Sequence, residues 1–165
     1  MLSLAFQHLK SALLATGWQE REIVQVVREG TELPRAPVAY INPAFDMGKL
    51  ERDPSLIKRT ASHSTRQLFV GWHGVQLRVQ HLTPQRLEGN VQALLEWLFD
   101  HKVGTGLNGS QVVFDDRIGV SYFDETGQYV GESGVLLTFN AILLVARSTA
   151  LLTRSPEIES AEFEP

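Results

Sequence analysis

Apolar positions along the chain change their period several times, and each change marks an element. Leu2, Phe6, Leu9 and Leu13 recur three or four residues apart, the spacing of one helix face. This predicts a helix over about Ser3–Ala15, ended by Gly17. In "EREIVQVVRE" (Glu20–Glu29), Ile23, Val24, Val26 and Val27 fit one helical face, while their β-branching equally permits a strand. "PVAYIN", from Pro37, reads as a short strand. Between Pro43 and about Thr65 the periodicity disappears, with Pro43, Gly48 and Pro54 interrupting it. A long loop between the first two strands is expected there.

"RQLFVGWHGVQLRVQHL", Arg66–Leu82, alternates as a strand does. Leu68, Val70 and Trp72 share one parity, and Val75, Leu77 and Val79 the other. The switch at His73-Gly74 fits a β-bulge that bends one long strand, or a tight hairpin. The bent strand is preferred, because a hairpin would leave very short partners. Thr83-Pro84 then opens a helix, with Thr83 as N-cap and Pro84 at the first helical position. Leu87, Val91, Leu94, Leu95, Leu98 and Phe99 form its apolar stripe, Trp97 packs beside it, and the helix ends near Val103 with Gly104 as a left-handed cap. "SQVVFDD" (Ser110–Asp116) and "IGVSYFD" (Ile118–Asp124) predict two short strands. "VLLTFNAILLVAR" (Val135–Arg147) predicts a long central strand buried on both sides. The sum is an α+β fold, a mixed, mainly antiparallel β-sheet with helices packed on one face. A single domain over residues 1–150 is expected, followed by an acidic flexible tail, 151–165, with four glutamates in "SPEIESAEFEP".

Composition narrows the chemistry. With 165 residues, 43% hydrophobic and 21% charged, the chain suits one globular domain. A net charge of −4 argues against a general nucleic-acid binder, and the lack of cysteine excludes disulfides, thiolate metal sites and a cysteine nucleophile. No run approaches the roughly 20 apolar residues of a membrane-spanning helix. "GTGLNG", Gly104–Gly109, has the G-x-G-x-x-G spacing of dinucleotide sites, but it follows a helix and precedes a strand. That order is the reverse of the phosphate-cradling one, so no cofactor is expected. Hydrolase-elbow, zincin and P-loop motifs are absent from the sequence. His73 and His81 would lie roughly 26 Å apart on a straight strand, too far to share a metal. His63 falls in the loop and His101 at a helix end, while Asp115-Asp116 and Asp124-Glu125 read as solvated turn acids. No catalytic, cofactor-binding or metal residue is expected, and a non-enzymatic role follows.

Two features remain as candidates for an assembly interface. The loop carries Lys49, Arg52, Lys58, Arg59 and Arg66 against two acids, with Leu50, Leu56 and Ile57 its apolar anchors. It has no interleaved aromatic residues to stack nucleic-acid bases, which favours an acidic protein surface as its partner. Trp72, at the strand bend, is either core or an interface anchor.

The element order and the segments "RQLFVGWHGVQLRVQHLTPQRLEGNVQALLEWLF" and "VLLTFNAILLVAR" resemble the tail terminator, or tail completion, proteins of long-tailed bacteriophages. The resemblance spans roughly Leu4–Arg147 and lies in size, order and hydrophobic pattern. It implies a virion protein made in the host cytoplasm, without a membrane partner. Six copies would form a ring that caps the tail tube, ends its polymerisation and joins it to the head or neck. Partners would be the protein itself, the tail tube protein and head–tail connector or neck proteins, with DNA passing through the lumen without sequence-specific binding. Another connector, neck or baseplate subunit fits the same pattern. A small intracellular enzyme using His73, His81 and Asp115, or a monomeric adaptor, are the readings from other classes.

Overall fold

In the computed structural model the chain is described over residues 2–25, 36–46, 48, 50–54, 56–60, 62–106, 109–123 and 134–150. Helix α1 (Leu2–Ala15) buries Ala5, Leu9, Ala12 and Leu13, and Gly17, at φ 97°, turns the chain out of it. A 3₁₀ turn (Glu20–Glu22) leads into β1 (Ile23–Gln25), so Ile23 and Val24 take the strand alternative. Val26 and Val27 lie outside the described residues. There follow β2 (Val38–Asp46), β3 (Leu50–Arg52), β4 (Leu56–Arg59), β5 (His63–Gln80), α2 (Pro84–Asp100), β6 (Val103–Thr105), β7 (Gln111–Phe123) and β8 (Gly134–Ala150).

The strands form one sheet in the order β1-β2-β5-β8-β7-β6, and β3 and β4 both pair with β5. Only β1–β2 is parallel among the described pairs, giving the expected mixed, mainly antiparallel α+β sheet. Both helices pack on one face. Leu9 and Leu13 of α1 and Leu87, Val91, Leu94 and Leu98 of α2 join one cluster with Ile41, Val75, Leu77, Val112, Leu137 and Phe139 of the sheet. Burial of these side chains removes apolar surface from water at about 25 cal/mol per Å² and holds the two layers together.

Several expectations need correcting. The long loop between the first two strands is largely strand: β2 runs on to Asp46, β3 and β4 occupy its middle, and β5 already begins at His63. Pro43 sits where the β2–β5 register slips, a place where a missing N–H costs the ladder little. Gly48 passes the β5 backbone so closely that a Cβ there would overlap the carbonyl oxygen of Trp72. The parity switch at His73-Gly74 is not a bulge in β5, whose register with β8 is unbroken from Phe69 to Gln80. The irregularity falls at Leu68, between Gln67↔Ala146 and Phe69↔Val145. The two short strands after the glycines are one strand, β7, with Asp115–Arg117 bulged between Phe114↔Ala141 and Ile118↔Phe139. Gly104 belongs to β6 and is no helix cap; His101 is the C-cap of α2. Thr83 holds the N-cap position without a side-chain capping bond, and Phe99 stands out of the α2 stripe, 71% exposed. The acidic tail, 151–165, lies outside the described residues.

Candidate functional site

Strands β5 and β8 outrun the helices that cover them. At about 3.3 Å per residue an 18-residue strand reaches roughly 60 Å, whereas a 17-residue helix reaches roughly 25 Å. The excess is an arm built from β3, β4, the first half of β5 and the end of β8. Arg66 and Arg147–Ala150 are exposed there, while Val75, Leu77 and Val79 farther along β5 are fully buried.

Register assigns each candidate residue to a face, because opposed residues share a face and neighbours along a strand alternate. Val75, Leu77 and Val79 face the helices together with Phe139, Leu137 and Val135. Counting back along β5, His73, Gly71 and Phe69 stay on that side, and the bulge at Leu68 then passes the side to Arg66 and Ser64. Arg52 opposes Phe69, Arg59 opposes Ser64, and Arg66 opposes Arg147. The helix-side face of the arm therefore gathers Arg52, Arg59, Arg66 and Arg147, with Leu50 (opposite Gly71) and Phe69 at its base. Leu50 is 45% exposed and Phe69 39%.

Trp72 points the other way. It opposes Ile142, which in turn opposes Val113, and the next rung holds Val70, Leu144 and Gln111. Both described helices lie on the far side of the sheet, so this apolar patch is only half-buried, and Trp72 is 48% exposed. The parity switch thus records a change of face: Val70 and Trp72 serve the uncovered side, and Val75 onward serves the core. Ile142 and Leu144 were expected to be buried on both sides of β8 and are half-buried for the same reason. Lys58, opposite Thr65, also belongs to the Trp72 side, as do Glu51, opposite Val70, and Asp53, which accepts a 2.6 Å hydrogen bond from Gln67. Lys49 lies outside the described residues.

Of the six candidates, the structure brings Arg52, Arg59 and Arg66 together and places Lys58 and Trp72 on the opposite face. Sequence reasoning missed Arg147, which meets Arg66 only through the β5–β8 register. Two arginines directly opposite on neighbouring strands repel, since like charges in a cross-strand pair destabilise a sheet. No carboxylate forms an ion pair with Arg52, Arg59, Arg66 or Arg147 among the described residues, whose ion pairs are Lys10–Glu20 (2.6 Å) and Lys102–Asp116 (2.7 Å).

A second surface lies between α2 and β7. Two adjoining hollows of about 440 and 620 Å³ share Leu95. Phe99 and Ile118 border one, Val91 and Tyr122 the other, and Tyr122 is 58% exposed. Asp115 and Asp116 border the first hollow, and Glu88 and Glu96 the second. The edge of β7 from Ile118 to Phe123 has no paired strand on its outer side among the described residues, since β6 covers only Gln111–Val113.

The histidines are dispersed. His8 is half-buried, and its Nε2–H donates to the His101 carbonyl at 2.7 Å. His101 stacks on Trp97 with ring centroids 4.2 Å apart, and its Nδ1–H donates to the Trp97 carbonyl at 2.9 Å. His8 and Phe114 stack at 5.6 Å, so this aromatic group ties α1, α2 and β7 together. His73 is buried on the helix side of the sheet, with Nε2 unpaired among the described residues. Burial lowers the pKa of His8, His73 and His81, because the charged imidazolium loses solvation. No group of three His, Asp or Glu side chains converges as a metal site among the described residues. No helix among the described residues is long and apolar enough to cross a membrane. No protein-family model matches the chain, and no curated protein matches it.

Proposed function

We propose that the chain is a structural subunit that assembles with copies of itself into a ring, in the manner of the phage tail terminators its sequence resembles. Such a ring would cap a tail tube, end its polymerisation and join it to the head or neck. DNA would pass through the lumen without sequence-specific contacts, and the protein would reside in the virion and act without catalysis. The observation that carries this reading is the arm. A subunit gains little for its own stability by extending two strands beyond the helix layer and gathering four exposed arginines on one face of the resulting arm. The strand ladder offsets part of the conformational entropy of ordering those residues, and an external contact would add to that offset. Trp72 on the uncovered side supports the same reading, since exposed aromatic anchors are enriched at interfaces.

The test is native mass spectrometry with sedimentation velocity, at low and high salt, alone and with a growing tail tube. A ring of several copies, or addition to the tube end with arrest of growth, is the expected result. A monomer under every condition, with no effect on tube growth, contradicts the proposal.

A further inference from the structure

We infer that the contact between copies is head-to-tail: the arginine face of one arm seats on the α2–β7 groove of the next copy. This rests on the self-assembly reading above and names its two surfaces.

Three features carry it. The first is charge. Arg52, Arg59, Arg66 and Arg147 share one face of the arm, while the arm's carboxylates Glu51 and Asp53 lie on the other. The groove is bordered by Glu88, Glu96, Asp115 and Asp116, of which only Asp116 has an ion-pair partner, Lys102, among the described residues. Arg86 at the start of α2 and Arg117 in the β7 bulge are the other nearby cations, and Asp100 adds a further acid at the end of α2. A neighbour's carboxylate placed between Arg66 and Arg147 turns their repulsion into attraction.

The second feature is apolar complementarity. Leu50 and Phe69 at the base of the arginine face are exposed, and so are Phe99, Val120 and Tyr122 along the groove. Covering both sets removes apolar surface from water on each copy.

The third is geometry. Tyr122 stands opposite Val135, Ile118 opposite Phe139 and Arg66 opposite Arg147, so along β8 the groove lies from eight to twelve residues, roughly 26–40 Å, from the arginine pair. An arm lying in the plane of its own sheet does not fold back onto its own groove. Two different surfaces far apart on one rigid sheet make a heterologous contact, the kind that closes rings or extends filaments.

The test uses three full-length variants: Arg66→Glu with Arg147→Glu on the arm, Glu88→Arg with Glu96→Arg on the groove, and all four together. All these positions are exposed, and matching circular-dichroism melts verify that each variant folds. At low salt the arm and groove variants alone should each associate at least about tenfold more weakly than the parent, because like charges now meet. Mixed in equal amounts they should co-assemble in alternation, since the intact arm of one meets the intact groove of the other and the swapped arm likewise matches the swapped groove. The fourfold variant should assemble again.

If the parent assembles and both paired variants assemble equally well, the head-to-tail contact is overturned while self-assembly stands. A parent that stays monomeric with and without the tail tube overturns both. If the arm variant loses only binding to a duplex DNA fragment, its arginines serve phosphates and the inference fails. If truncation after Ala150 alone abolishes the salt dependence, they serve the chain's own glutamates, and it fails equally.

Discussion

The same two strands lead different lives along their length. Where β5 and β8 run beneath the helices, Val75, Leu77, Leu137 and Phe139 are essentially inaccessible. A few residues away, past the irregularity at Leu68, the same ladder emerges as an arm where arginine faces arginine. Backbone hydrogen bonding continues through both halves, so the ladder alone does not separate them. What separates them is whether a second layer covers the side chains. The covered half carries the buried core, and under the proposed assembly the bare half is what a neighbouring copy meets.

The contrast breaks first at the core. Phe139→Ala should destabilise by about 3–5 kcal/mol, and Leu94→Ala by about 2–5, because both leave cavities under the helices. Denaturant unfolding measures this, and a loss below about 1 kcal/mol at either site would mean that the layers are not tightly packed. Gly48→Ala comes next, at about 1–3 kcal/mol, since its Cβ must displace the backbone at Trp72. Hydrogen exchange should show that loss centred on β3 rather than on α1.

Acidification sharpens the comparison differently. Two of the three histidines with lowered pKa, His8 and His73, are buried or half-buried on the helix side of the molecule. A histidine whose folded pKa is depressed contributes stability that is present above its unfolded value, about 6.5, and is lost as pH falls through the folded value. Unfolding measured from pH 7.5 down to pH 5 should therefore show falling stability, and His73→Leu should flatten the slope. A flat parent profile would contradict the burial of these rings. The smallest effects belong to the arm. Trp72→Ala should cost less than either core change, about 1–2 kcal/mol, because only about half of the ring is out of water. Arg147→Ala should be neutral or stabilising by about 0.2–1 kcal/mol, as it relieves a like-charge pair.

Periodicity made the covered half legible in the sequence. Leu9 and Leu13, the α2 stripe from Leu87 to Leu98, and the alternation at Val75–Val79 all sit in the core as their spacing implied. The arm was harder to see. Strands β3 and β4 are short and paired on one side, and Leu50–Arg52 is exposed throughout, so no alternation marks them. Pro43, Gly48 and Pro54 read as loop punctuation, although Pro43 sits at a register slip and Gly48 at a close backbone approach. The basic residues were visible, but their sorting onto two faces depends on the extra residue at Leu68. Arg147 ends an apolar strand, and its meeting with Arg66 is a matter of long-range register that spacing does not encode.

The division between covered body and assembly arm is tested most directly by hydrogen exchange, comparing the dilute subunit with the assembled protein. In the dilute subunit, amides of Val75–Val79 and Val135–Ala141 should be strongly protected, and those of Leu56–Arg59 and His63–Arg66 should exchange quickly. On assembly, protection should rise in the arm and along Ile118–Tyr122 together, with little change beneath the helices. Uniform protection of arm and body in the dilute subunit, or an assembled state that leaves both the arm and Ile118–Tyr122 unchanged, would contradict it.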